Sequence, residues 1–220
     1  MDKNREAIQM MQEGKYEEAA KLFNELIEEN PSDPLGYINF GNLLVELQEA
    51  ERAERFFLKA INLDDTAATA YYGLGNLYFE QEQFKKANGY FEQALDKGLE
   101  DAHLYYLLGL SLQYQEQFKL ALPYLLRATE LAGDEINYRF QYGLSLAQAE
   151  LVDEAKTVFQ EVIEMDETHS DAHYNLGVIA VFNEDAEQAL KHFSQALKEQ
   201  PDHYLAANGK KQVEQFLENQ

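Results

Sequence analysis

Two histidines, His169 and His173, stand four residues apart with Asp166 and Asp171 close by in the chain. That spacing puts both imidazoles on one face of a helix, and a neighbouring carboxylate would complete a ligand set for zinc. A plainer use competes. His169 falls in a turn, and His173 holds an aromatic packing position that is Tyr37, Tyr71 and Tyr105 elsewhere, so packing is the expectation. Gly73 and Gly75 form a Gly-x-Gly pair, but no strand precedes it, and it reads as helix packing rather than a phosphate loop. Ser111 and Ser145 recur at matching positions with no histidine base at a matching place. Carboxylates are abundant, yet a catalytic pair needs a pocket that shifts its proton affinity, and the sequence locates none. The chain has no cysteine, which removes disulfides, thiolate metal sites and cysteine nucleophiles. The expectation is therefore no enzyme, no metal and no cofactor. What remains is recognition.

Charge narrows the partner. The 220 residues carry 40 acidic and 18 basic side chains, a formal net charge of −22. Phosphate binding needs a basic footprint, so nucleic acid is not expected as a direct partner, nor is an anionic membrane surface. With 45% hydrophobic and 12% aromatic residues the chain is too apolar for disorder, and the charge must sit outside a folded body. No apolar run approaches the ~18–20 residues of a membrane span. The opening MDKNREAIQMMQEGKYEEAA is charged throughout, and no signal peptide is expected. One soluble, acidic, cytoplasmic body is the expectation.

A 34-residue ruler organises the chain. Gly41, Gly75, Gly109, Gly143 and Gly177 recur at that interval, as do Ala19, Ala53, Ala87, Ala121, Ala155 and Ala189. Four residues after each alanine comes Phe23, Phe57, Phe91, Leu125, Phe159 or Phe193. Segments such as YYGLGNLYFEQ (71–81) and ANGYFEQALDK (87–97) carry apolar residues at helical spacing. Each repeat is therefore two antiparallel helices, with glycine and alanine where the pair approaches most closely. One hairpin cannot bury its own apolar faces, so neighbours must stack.

The order of aromatic, Leu-Gly, Tyr, Ala, Phe, Ala and Pro resembles the tetratricopeptide repeat, best at Tyr71, Leu74, Gly75, Tyr78, Ala87, Phe91 and Ala94. The resemblance implies an all-α fold: a right-handed superhelical solenoid of six helical hairpins plus a C-terminal capping helix. The repeats fall at 1–33, 34–67, 68–101, 102–135, 136–169 and 170–203, and the cap at 204–220. YINFGNLL, AATAYYGLGNLY and LALPYLLRA are similar to a bacterial member of that family, which implies an intracellular bacterial protein associated with tRNA-modification machinery. Some positions depart from the pattern. The turn proline survives at Pro31 and Pro201 but is Asp65, Leu99, Gly133 and Glu167 elsewhere, with Gly98 and Gly133 expected to end helices in left-handed backbone. Pro123 is expected near the start of a second helix, where its missing N–H costs nothing. Lys210 and Lys211 replace Leu-Gly in the last segment, which reads as a solvated cap.

The family places its first helices along a concave face where partner peptides bind. That assigns a groove to Asn39, Asn42, Tyr72, Asn76, Phe79, Tyr106, Leu110, Tyr114, Phe140, Leu144, Tyr174 and Phe182, with the rings as anchors and the amides as hydrogen-bonding groups. Arg139 is the only basic residue on the first helices of repeats two to six, so a cationic clamp for a terminal carboxylate is not expected. The expected function is a non-enzymatic scaffold for a protein or peptide segment, apolar with basic flanks, on a monomeric chain. The alternative is a structural subunit that self-associates weakly through its groove or apolar ends.

Overall fold

The structure, a computed structural model, describes residues 2–219. It holds thirteen α-helices and, among these residues, no strand. They fall into two compact units, the first ending at Gln115 and the second beginning at Glu116. The first contains α1 (Lys3–Gln12), α2 (Tyr16–Glu29), α3 (Pro34–Glu46), α4 (Ala50–Leu63), α5 (Ala68–Glu80), α6 (Phe84–Asp96) and α7 (Ala102–Gln113). The second contains α8 (Phe118–Leu131), α9 (Ile136–Gln148), α10 (Val152–Met165), α11 (Ser170–Phe182), α12 (Ala186–Glu199) and α13 (Tyr204–Glu218). Among the described residues no helix is long and apolar enough to cross a membrane.

Within the first unit α1/α2, α3/α4 and α5/α6 pair as hairpins, and each second helix also packs on the next first helix. The second unit repeats this with α9/α10 and α11/α12, closed by α13 against α12. The recurring phenylalanines are the pins: Phe23, Phe57, Phe91, Phe159 and Phe193 are all fully buried. Glycine makes room for their rings rather than for a neighbouring backbone. A Cβ on Gly41 would lie 2.7 Å from Phe57, and one on Gly73 of the next hairpin 2.5 Å from the same ring. Phe193 sits likewise between Gly177 and Gly209, which is why α13 docks as a first helix would.

The turn that ends each first helix shows a second period. Gly14, Gln48, Glu82, Glu116, Glu150 and Glu184 all take positive φ, between 57° and 74°. The residue after Gly14, Gln48, Glu82, Glu150 and Glu184 donates its N–H to a carbonyl five back, as Gln83 does to Tyr78 at 2.8 Å. This closes the helix with a left-handed cap. Five of the six positions are not glycine, so each side chain there carries strain of roughly 1–2 kcal/mol. Glu82→Gly is expected to stabilise the first unit by about 0.5–1 kcal/mol in urea unfolding, since glycine adopts this conformation freely but orders at a higher entropic cost. An unchanged midpoint would remove the strain argument.

Two expectations need correction. Gly98 does adopt positive φ, but Gly133 does not. Pro123 lies inside α8, five residues beyond Phe118, past the first turn, so its missing N–H falls where a helical bond would form. Where the turn proline is absent, Asp64 accepts bonds from the Thr66 N–H and hydroxyl at 2.8 and 2.7 Å, and Asp166 does the same with Thr168. Those bonds hold the two carboxyls below their usual proton affinity.

Candidate functional site

In the first unit α3, α5 and α7 lie side by side, and the residues that do not face their second helices form one open face. The ends of α5 and α7 and the start of α6 gather three rings there. Phe79 lies 5.4 Å from Phe84 and 6.0 Å from Tyr114, while Phe84 and Tyr114 stack 4.5 Å apart at 16°. Tyr114 remains 62% exposed, so the stack presents a ring face to solvent. Phe84 was not among the expected groove residues. It opens a second helix, where its pairing with Tyr114 depends on the turn and leaves no mark in the helical period.

The amides and tyrosines are used unequally. Asn42 is exposed, whereas Asn76 is partly buried and its Oδ1 has no hydrogen-bond partner. Asn39 already donates to Asn4 Oδ1 at 2.6 Å, which ties α1 to α3. The Tyr72 hydroxyl sits 2.7 Å from His103 Nδ1, and the Tyr106 ring 6.2 Å from the same histidine. Tyr72, Tyr106 and Leu110 are half-buried. Burial raises the pKa of Glu80, and the negative charge of Glu46 adds to the rise. A cation arriving beside this carboxylate would relieve both effects.

In the second unit the expected residues diverge. Phe140 is corrected from groove anchor to core. It is 8% exposed, lies 5.7 Å from the Phe159 ring, and clusters with Leu146, Val158 and Leu176. The His169 ring lies 4.6 Å away on its other side, and Phe140 has no hydroxyl to hold at the surface. Leu144 packs on the same cluster. Tyr174 is half-buried against Phe193 and His203, at 6.0 and 5.1 Å, whereas Phe182 is 72% exposed.

The residues that could have done chemistry serve structure. His169 Nδ1 accepts the Ala172 N–H at 3.2 Å as the N-cap of α11. His173 is buried, with Nε2 3.1 Å from the Glu167 carbonyl and Nδ1 3.1 Å from His192 Nδ1. Ser111 is fully buried, bonded to Asn88 and the Leu108 carbonyl. Arg139 pairs with Glu161 and donates to the Gly133 carbonyl.

Models of the tetratricopeptide repeat family match residues 10–77, 72–135 and 146–211. The TPR repeat-containing protein YrrB of Bacillus subtilis (strain 168) is 56% identical over 41 residues, 19% of this chain. That match spans about a fifth of the relative's length, 20%. The crystal structure of YrrB, described as a TPR protein with an unusual peptide-binding site, is 48% identical with a TM-score of 0.84. The alignment covers 87% of this chain and 99% of that one. Pseudomonas aeruginosa pilF (16% identical, TM-score 0.77, 96% of each chain) and MamA from Desulfovibrio magneticus RS-1 (20%, TM-score 0.69, 76% and 94%) share the fold.

Proposed function

This chain belongs to the tetratricopeptide repeat family, and on that footing we propose that it is a non-enzymatic scaffold holding a partner peptide on the open face of its first helices. The observation that carries the reading is the Phe79–Phe84–Tyr114 stack, with one ring 62% exposed and an orphaned amide oxygen, that of Asn76, on the same helix as Phe79. Exposed rings held in place by neighbours lose little freedom on binding, which is what an anchor requires. The similarity to YrrB, described with a peptide-binding site, supports the same reading. With −22 on the chain and Glu80 beside Phe79, the partner is an apolar segment flanked by lysine or arginine, steered in by charge.

The test is selection of peptides from a random display library against the purified chain, followed by affinity measurement. Tyr114→Ala is expected to weaken the selected peptides by at least ~30-fold, roughly 2 kcal/mol, with a melt close to wild type. Lys85→Ala, an exposed change on the second helix α6, should shift affinity by less than ~0.5 kcal/mol. Equal losses from the two would place the site elsewhere. The proposed association with tRNA modification has its own readout: pull-down with the wild-type chain should enrich tRNA-modifying enzymes, and Tyr114→Ala should lose them.

A further inference from the structure

We propose that the edge of the second unit holds a pocket for one arginine side chain of a partner polypeptide, with an apolar residue of the same segment laid over Leu120 and Pro123. This goes beyond the scaffold reading, because none of the expected groove residues lines the pocket. It lies between the turn that leads into α8 and the turn that follows α9, and encloses about 420 Å³, within the range of specific ligand sites. Glu116, Phe118, Lys119 and Leu120 line one side, Ala149 and Glu150 the other.

The repeat marks α8 as different from the other second helices. The place of Leu120 is held in them by Glu18, Arg52, Lys86, Glu154 and Gln188. Leu120 is 60% exposed and Leu126, further along the same helix, 41%. Pro123 stands exposed between them. There it removes a helical hydrogen bond and fills no core. A stripe that replaces polar residues and weakens its own helix serves nothing within the unit. It offers a partner an apolar surface.

The acceptors around the pocket select arginine. Glu116 and Glu150 take left-handed backbone at φ 57° and 66°, and among the described residues neither carboxylate has a hydrogen bond or an ion pair. The Lys119 carbonyl has no helical donor either, because Pro123 one turn on carries no N–H. The C-terminal end of α9, at Gln148, adds the negative pole of its dipole. An arginine can lay its methylene stem on Leu120 and Phe118 while its planar head presents five donors to these groups. A lysine brings one compact, strongly hydrated charge and matches separated acceptors less well. Lys119 is the single positive charge among the lining residues, and it pairs with neither carboxylate. A second copy would bring another −22, so the occupant belongs to a different protein.

The probe is a fluorescein-labelled pentapeptide amide, Gly-Leu-Arg-Leu-Gly, titrated by anisotropy into the full chain at ~150 mM salt. Two matched peptides carry lysine or the uncharged citrulline in place of arginine. Saturable binding is expected for the arginine peptide, and at least ~10-fold weaker binding for the other two. Glu116→Gln, Glu150→Gln and Leu120→Ser should each weaken the arginine peptide at least ~5-fold, and Lys119→Ala should tighten it. All four residues are exposed, so circular dichroism and melts should stay near wild type. Tyr114→Ala should leave this affinity unchanged. No saturable binding, equal binding of the lysine or citrulline peptide, or indifference to the glutamine and serine variants overturns the proposal. Loss in Tyr114→Ala alone also overturns it but keeps the scaffold reading, because the peptide then sits on the first unit. A dimer in sedimentation equilibrium that Leu120→Ser abolishes would give the stripe to a second copy and sink the proposal as well.

Discussion

Phe91→Ala is expected to destabilise the first unit by about 3–5 kcal/mol, the cost of emptying a fully packed aromatic site. Phe91 is 0% exposed, and its ring fills the space left open by Gly75, where a Cβ would stand 2.3 Å from two ring atoms. Gly75→Ala should also destabilise, by roughly 1–3 kcal/mol of overpacking against about 1 kcal/mol of gained helix propensity. Ala7 holds the equivalent place in α1. Among the described residues α1 packs on α2 and α3, whereas α5 is held between α3 and α7. The two changes should not add, because removing the ring removes the clash. The double variant is expected to fall short of the sum by 0.5 kcal/mol or more in urea unfolding. Strict additivity would show that the glycine serves something other than the ring.

Acid should weaken the second unit through His192. Burial, and after it the proximity of His173, Lys191 and Lys156, lowers the His192 pKa from 6.5 to about 4. The hydrogen bonds explain why a second proton is unwelcome. The Glu167 carbonyl can only accept, so His173 Nε2 carries its proton and His173 Nδ1 is bare. His192 Nδ1–H then donates to it across 3.1 Å. Another proton on either ring sets two charged or donor groups against each other. The unfolded chain binds its proton near 6.5 and the folded chain near 4, so below 6.5 the unfolded state holds more protons. Stability is therefore full above about 6.5 and is lost as pH falls toward 4. The full separation would amount to about 3 kcal/mol, and partial solvent access to His192 brings the expected loss nearer 2 kcal/mol. His192→Gln should flatten the melt midpoint between pH 6.5 and 5 relative to wild type. Parallel curves for the two proteins would exclude this pair as the source.

The parts of the site that could be read from the sequence are those fixed by the repeat period. Tyr72, Tyr106 and Tyr114 were assignable because each sits at a set distance from a glycine or alanine that marks the helix phase. Phe84 was not, because it joins Phe79 and Tyr114 across a turn, and pairing across turns has no period. Phe140 shows the limit from the other side. Its position in the repeat is one that α5 and α7 fill with the half-exposed Tyr72 and Tyr106, yet in α9 it is 8% exposed. Phe140 packs against Phe159 and the His169 ring at 5.7 and 4.6 Å, contacts supplied by neighbouring elements rather than by α9.

The sequence by itself determined the helices of the described residues, the five hairpins that pair within the two units and the inward phenylalanines, because a hairpin of this period can hide its apolar stripe only against similar neighbours. It also set the acidic exterior, which follows from counting charges. Only the tertiary structure decided which groups spend their hydrogen bonds on the fold: the His173–His192 pair, the Asn4–Asn39 tie and the His169 cap. It alone decided that a non-glycine residue takes left-handed backbone in five of the six turns that follow a first helix, since that conformation is imposed by closing the turn rather than by local preference. The exposure of Leu205 and Phe216 on α13 belongs to the same class. Leu205 and Phe216 keep ordinary helical spacing, and whether such residues end as core, cap or open wall depends on what packs beside them.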